Sequence, residues 1–582
     1  MNNREQDILL TLYEKGVMSQ RDLSEMTGCS LGVVNKSLRN LLHEGYLDSN
    51  YMISKKAELE IKSLSPVNAI ILAAGFGMRM VPINTEVPKG LIEVRQEPLI
   101  ERLIKQLHQK KIFEIHVVVG FMKDQYEYLI DKYGVDLIVN EDYSIKNNLH
   151  SLNLASRFIS NSYIVPCDVW LEDNPFSKNE LYSWYAVTDR LDDNSSVRVN
   201  RKSELVLVPD DAYGNSMVGI SYLSKDVSKF VSSKLSQYDN DRRYEDSFWE
   251  EALFLNGRMV VHAKVLDCDK AVEINTYEQL REFDSDSNHL KSEALEVISK
   301  VLKTDVQSIR DISVLKKGMT NRSFLFSVKG ERYIMRIPGE GTDKLIDRSC
   351  ECEVYKKLYG KNLCDDVVYI DSENGYKITK YIERSRVCNP ENDYDLTLCM
   401  SVLRNLHNMR LKVNHEFDLF GQIDFYESLW NGKPSIYRDY YDTKRKVFLL
   451  KDFIDGFKVE KVLSHIDSVP DNFLITSQGE VRLIDWEYAG MQDPHVDIAM
   501  FCIYSLYDRA HVDKLIDIYF EGKCSERERT KIYCYMSVCG LLWSNWCEYK
   551  RTLGVEFGEY SLRQYRYAKD YFRIVEGALE CM

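Results

Sequence analysis

Residues 69–80 read AIILAAGFGMRM, and Pro88-Lys89-Gly90-Leu91 follow a few positions on. The short apolar run Ala69 to Leu72 has the length and composition of a buried strand, and it passes directly into small residues and two glycines. A glycine-rich loop after a strand lets backbone N–H groups approach phosphate, because no Cβ stands in the way. Arg79 and Lys89 add fixed positive charge for a triphosphate and for the charge developing at its α-phosphorus. Turn chemistry alone demands neither cation. Outward from this point, short apolar runs at Ile115 to Val119, Leu137 to Val139 and Tyr163 to Val165 alternate with amphipathic stretches, which predicts an α/β domain over residues 65–285.

The string LAAGFGMRM…PKGL resembles the signature of nucleotidyltransferases, and over residues 67–283 the resemblance is to phosphocholine cytidylyltransferases. It implies a Rossmann-like mixed sheet flanked by helices, with Arg79, Lys89 and Asp168 as catalytic residues. Leu72, Ala73, Ala74, Gly75 and Gly77 would hold the nucleotide, together with Asn148 and Ser151 from NEDYSIKNNLHSLNLA (140–155). Asp168 ends YIVPCD, where the family holds its magnesium; open α/β sheets place ligand chemistry at strand ends, and magnesium prefers hard oxygen ligands. Asp246 and Trp249 in YEDSFWEEAL match a segment near the choline head group, with core filling as the lesser reading of Trp249. One position departs from the family: the usual second metal ligand, the Asp of an EID motif, is here Asn275 in Glu273-Ile274-Asn275, which offers an oxygen but no charge.

A second constellation lies in residues 290–582, after the polar turn-rich run DSDSN at 284–288. Hairpin-like alternation at Ser323 to Val328 and Arg332 to Ile337 gives way to a helix-rich remainder. Within it, HIDSVPDN (465–472) and LIDWE (483–487) resemble the catalytic loop and metal segment of the choline kinase and aminoglycoside phosphotransferase group. Phosphoryl transfer needs a carboxylate to deprotonate the acceptor hydroxyl and ligands to hold magnesium on the triphosphate. The resemblance gives Asp467 the first role, Asn472 and Asp485 the second, and Glu487 a second metal. It also implies a protein-kinase-like fold, a nucleotide loop at Lys317 to Asn321 with Thr320 and Asn321, Arg336 on phosphate with Glu351 as its ion-pair partner, and a hinge at Ile378 to Ile382. Trp543 and Trp546 stand three apart and share a helix face, as do Tyr504 and Tyr507. Such stripes are commonly core; the resemblance makes them an aromatic choline cage. Asp497 reads either as support for the magnesium segment or as a helix cap.

Residues 1–64 read as a winged helix-turn-helix: a helix around Ile8 to Tyr13, a second opened by Ser19 with Asp22, a turn at Thr27-Gly28-Cys29, a third helix Leu31 to His43, and a two-stranded wing at 45–47 and 51–53. The pattern resembles winged-helix domains of bacterial regulators. Residues 4–62 carry eight Lys or Arg against nine Asp or Glu, so DNA contact and a protein-interaction role both stay open.

The whole chain of 582 residues has a net charge of -14, which argues against nucleic acid as its main partner. No run of 18 apolar residues occurs and the start is charged, so a cytoplasmic protein with no membrane span is expected. The 14 cysteines, irregularly spaced, imply neither zinc nor disulfides. The combined expectation is a multidomain enzyme that converts choline to phosphocholine with ATP and phosphocholine to CDP-choline with CTP, using Mg2+ at both sites. Such pairs resemble the bacterial route that decorates surface glycans with phosphocholine. Ethanolamine or a related acceptor, and a regulator whose enzyme-like domains only sense ligands, are the alternatives. The oligomeric state stays open.

Overall fold

The structure, a computed structural model, describes residues 1–209, 212–315, 321–339, 345–553 and 557–579. The chain divides into two compact units, Met1–Ser292 and Glu293–Met582.

The first unit opens with helices Asn3–Lys15, Gln20–Thr27, Leu31–His43 and Lys55–Leu64. Capping boxes start the first two: Asn2 with Glu5, and Ser19 with Asp22, each satisfying two backbone donors that would otherwise lack partners. Left-handed Gly28 ends the second helix and turns the chain into the third. The expected wing strands reduce to one bridge, Leu47 with Ile53, so the wing is a tight loop rather than a ribbon.

The sheet that follows runs, from one edge, Asp136–Val139, Glu114–Val119, Asn68–Ala73, Ser162–Pro166, Gly214–Leu223, Trp184–Asp192, Arg258–Leu266, Glu204–Leu207 and Val197–Val199. The first four strands are parallel to one another. Alternation explains their uninterrupted apolar sequence: Ala69, Ile71 and Ala73 enter one core while Ile70, Leu72 and Ala74 enter the other, so both faces are covered by helices. The carboxyl ends of Asn68–Ala73 and Ser162–Pro166 therefore sit side by side, and the glycine loop and Asp168 leave from the same edge.

The helix Asn3–Lys15 docks on this sheet domain. Asp7 accepts from the Tyr182 hydroxyl at 2.9 Å, Gln6 donates to the Leu181 carbonyl at 3.2 Å, and Leu181 completes the apolar core of the winged helix. Asn161 donates to the Ser63 carbonyl at 2.7 Å.

The second unit has a five-stranded antiparallel sheet in the order Arg310–Val314, Asn321–Val328, Glu331–Pro338, Lys377–Lys380, Val367–Ile370. Lys329 and Gly330, both with positive φ, form the two-residue hairpin that twists the two long strands together. The helix Arg348–Leu358 packs beside this sheet, and the helical remainder is organised around the 27-residue helix Glu526–Thr552, opened by a Ser525/Glu528 capping box and buried along most of its length. Among the described residues no helix is long and apolar enough to cross a membrane.

Two candidate active sites

In the first unit a cavity of about 740 Å³ opens at the carboxyl ends of the parallel strands, large enough for a nucleotide and an acceptor. Leu72, Ala74, Gly75, Gly77, Arg79, Lys89, Asn148, Ser151, Asp168, Asp246 and Asn275 all line it. Gly77 has φ +62, a conformation that lets the loop fold over the Lys89 side chain. The Lys89 ammonium is held between the Asp168 carboxylate and the Asn275 side-chain oxygen, the latter at 2.6 Å. Arg79 donates to the same Asn275 oxygen at 3.4 Å. The second carboxylate oxygen of Asp168 is buried without a hydrogen-bond partner, a hard donor of the kind magnesium takes. Asn148 accepts from the Trp249 N–H at 2.8 Å, and Ser151 accepts from Asn140 at 3.0 Å, so both are fixed in place by the segments behind them.

One expectation for this site needs correction. Trp249 is buried at 1% exposure among Tyr185, Ala252 and Leu253 and does not reach the cavity; it opens the 3-10 turn Trp249–Leu253, which directs its ring into the core and leaves Phe248 and Glu250 on the cavity wall. Ala73 points into the core below the loop. The Asn275 oxygen, expected on a metal, is engaged by Lys89. Two acidic residues were missed. Glu250 accepts from the Tyr185 hydroxyl at 3.0 Å while its other oxygen is buried and unpartnered, and burial pushes it up to about 7. Glu273 is raised by enclosure and by the neighbouring Asp168. Both lie inside strings already singled out, YEDSFWEEAL and the Glu273–Asn275 triplet, where nothing but orientation separates them from Trp249. Trp249→Ala should therefore cost about 3–5 kcal/mol of stability in urea unfolding, with the phosphocholine KM of the folded protein unchanged.

In the second unit a cavity of about 640 Å³ is lined by Arg336, Asp467, Asn472, Asp485, Glu487, Tyr504, Trp543 and Trp546. Its catalytic loop is built by an unusual backbone: Ile466 has φ +68, costly for a β-branched residue, directly before Asp467. Asp497 holds it there, its buried carboxylate accepting the His465 and Ile466 N–H groups at 2.9 and 2.7 Å and the His407 ring at 2.9 Å. Asp497 thus anchors the loop itself, a role neither earlier reading contained. His465, pushed down to about 4 by burial, stays neutral and hydrogen-bonds the Ile484 carbonyl at 3.0 Å.

Asn472 donates to the Asp467 carbonyl and carboxylate at 2.8 and 3.1 Å, which leaves its own side-chain oxygen as the group suited to a cation. Asp485 has one buried oxygen with no hydrogen-bond partner and lies 3.5 Å from Arg336. Burial, with Asp485 and Glu487 adding repulsion, raises Asp467 to about 8. These hard oxygens fit magnesium. Glu487, expected to help with a second metal, is 2% exposed at its side chain and bonds Arg348 at 3.2 Å; a buried guanidinium has claimed it. Arg336 and Glu351 form the expected pair, bidentate at 2.6 and 2.7 Å.

Trp543 and Trp546 meet edge to face at 5.5 Å, Tyr488 meets Trp543 the same way at 5.6 Å, and Tyr504 and Tyr560 complete the wall. Tyr507 points elsewhere, donating to the Pro390 carbonyl. In the hinge stretch Ile378 is core, and Thr379 to Ile382 line the cavity. Lys317 to Thr320 lie outside the described residues, and Asn321 begins a strand.

A glycine loop with paired cations at a parallel-strand edge, and a carboxylate loop beside an Arg–Glu pair under an antiparallel sheet, define a nucleotidyltransferase and a kinase-like phosphotransferase in one chain. Residues 312–538 match the choline/ethanolamine kinase family, 69–183 the MobA-like NTP transferase domain, and 1–48 the winged helix-turn-helix DNA-binding family. The chain is 31% identical over 222 residues to the choline-phosphate cytidylyltransferase of Streptococcus pneumoniae, covering 38% of this chain and 97% of that protein. It is 28% identical over 265 residues to Protein LicA of Haemophilus influenzae, covering 42% and 76% respectively. The crystal structure of choline kinase LicA from Streptococcus pneumoniae aligns with 28% identity and a TM-score of 0.43, over 49% of this chain and all of that one. The chain belongs to the choline-phosphate cytidylyltransferase family, and the region after that part matches the choline/ethanolamine kinase family.

Proposed function

We propose that this chain makes CDP-choline in two steps, the product of one cavity being the substrate of the other. The observation that carries the first step is Asp467, tied to Asn472 and facing a cavity walled by Trp543, Trp546, Tyr488 and Tyr504. The Asp467 carboxylate takes the proton of the choline hydroxyl, the oxygen attacks the γ-phosphorus of ATP, and the bond to the β–γ bridging oxygen breaks to release ADP. In the second step a phosphate oxygen of phosphocholine attacks the α-phosphorus of CTP and pyrophosphate leaves, with Lys89 and Arg79 placed against the charge that develops there. Asp485 and Asn472 in one cavity and Asp168 in the other would hold magnesium, which would supply charge neutralisation on the phosphates. Incubating the full chain with choline, ATP, CTP and Mg2+ should yield CDP-choline by mass spectrometry. Phosphocholine accumulating with CTP untouched would refute the second assignment.

A trimethylammonium offers no N–H donors and is held by ring faces and nearby carboxylates, whereas the compact ammonium of ethanolamine needs acceptors that an aromatic wall lacks. The kinase should therefore favour choline by kcat/KM. Trp546→Ala should weaken choline use by a factor worth about 1–2 kcal/mol and ethanolamine use less. Equal losses would mean that Trp546 serves only as core.

The winged helix supports contact with DNA more strongly than its net charge indicates. Asp7 and Glu14 face the sheet domain, and Glu5 and Asp22 are used in capping boxes. The helix Leu31–His43 has no acidic residue and exposes Lys36 and Arg39, with Arg21 exposed on the helix before it. In a gel shift with the upstream region of its own gene, binding should fall steeply with salt and be lost in Lys36→Glu/Arg39→Glu. Binding that survives this double change would remove the face from consideration.

A further inference from the structure

Lys377 stands directly opposite Arg336 in the register of the antiparallel strands Lys377–Lys380 and Glu331–Pro338. Like charges directly opposite each other destabilise a sheet, and both side chains here are about 5% exposed, so each has also lost its hydration. The cost is offset by Glu351. Its carboxylate takes the Arg336 guanidinium at 2.6 and 2.7 Å and the Lys377 ammonium at 3.4 Å, and Lys377 also donates to the Tyr355 hydroxyl at 2.7 Å. The Tyr355 hydroxyl in turn donates to Asp365 at 3.1 Å. Burial of Glu351 works to raise it, but Lys377 and Arg336 together pull it down to about 2, so the carboxylate between them stays charged.

Around this carboxylate the deeply buried charges balance: Arg336, Arg348 and Lys377 against Glu351, Glu487 and Asp365. Asp467 is then left to the reacting groups, and Asp485 keeps a longer approach to Arg336 at 3.5 Å. A fold that needed only the Arg336–Glu351 pair would have no use for a second buried cation across the strand, since an apolar residue there would avoid both the desolvation and the repulsion. Lys377 nevertheless lines the same cavity as Arg336, Asp467 and Asp485.

We infer that Lys377 is a positioning residue for the phosphate end of the phosphoryl donor: it locks Glu351, and through it Arg336, in the orientation that receives the triphosphate, and it adds a second positive charge to that end of the cavity. This rests on the reading of the second unit as an ATP-dependent kinase. A merely structural lysine would affect every ligand of the cavity alike, whereas a phosphate-end residue separates nucleotides from nucleosides.

The test is calorimetric titration of the full chain with ADP and with adenosine, alongside steady-state KM for ATP and for choline. Lys377→Gln keeps a hydrogen bond to Tyr355 and removes the charge. It should weaken ADP about tenfold or more, leave adenosine within about twofold, raise the KM for ATP in step and leave the KM for choline unchanged. Lys377→Arg should keep the preference of the parent for ADP over adenosine. Parallel losses for ADP and adenosine, or an unchanged ADP affinity in Lys377→Gln, would overturn the inference. Should Lys377→Gln not fold, Lys377→Arg decides alone: the ADP preference retained supports the role, and the preference lost rejects it. A parent chain that binds neither ligand would instead refute the kinase reading on which the inference rests.

Discussion

Asp467→Asn is expected to lower choline phosphorylation by about a hundred- to ten-thousandfold, the range lost with a positioned general base, while CDP-choline formation from added phosphocholine and CTP continues at the parent rate. The amide matches the carboxylate in shape, so the hydrogen bond from Asn472 and the strained Ile466 backbone held by Asp497 are retained. What disappears is the carboxylate that Asn472 orients into the cavity to take the hydroxyl proton. Most of the loss should fall in kcat, because the ring wall that holds the head group is untouched. A loss confined to the KM for choline would show that Asp467 binds the acceptor without deprotonating it.

Asp168→Asn should produce the complementary result. Cytidylyl transfer should fall by about a hundred- to a thousandfold, the loss expected when the electrostatic arrangement around a developing charge is removed. Asp168 does two things at once: it holds the Lys89 ammonium and it presents an unpartnered oxygen at the cavity floor. With Asn at both 168 and 275, Lys89 would keep neutral oxygens only, and its placement against the α-phosphate would loosen. Phosphocholine formation from choline and ATP should be unaffected, since the two carboxylates lie in units with separate apolar cores. Loss of both activities from either change, in a chain that still unfolds cooperatively, would defeat the assignment of one reaction to each cavity.

The motifs that could be read along the chain share a physical property: their groups are local. The glycine loop with Arg79 and Lys89, the strand end at Asp168, and the pair HIDSVPDN and LIDWE each place their chemistry within a few residues of a strand terminus. The period-2 burial of Ile70 and Leu72 against Ala69 and Ile71 then settles where that terminus lies. Trp249 shows the limit of such reading. Phe248, Trp249 and Glu250 are consecutive, aromatic or charged, and equally suited to a cation; only the packing of Trp249 against Tyr185 decides which of them faces the ligand.

By itself, then, the sequence determined the three segment types and both reaction classes, and it singled out Asp168, Asp467 and Asp485, which line the two cavities, because those depend on short-range patterns of strand, loop and charge. The tertiary structure decided what depends on neighbours hundreds of residues away or on side-chain direction. It assigned Glu487 to Arg348, the Asn275 oxygen to Lys89, and Asp497 to the backbone of the catalytic loop. It also turned Asp7 and Glu14 toward the sheet domain and left the third helix, Leu31–His43, without an acidic residue, although the segment as a whole is near neutral. A net charge is a sum over residues, but a partner meets only the part of that sum that folding leaves on one surface.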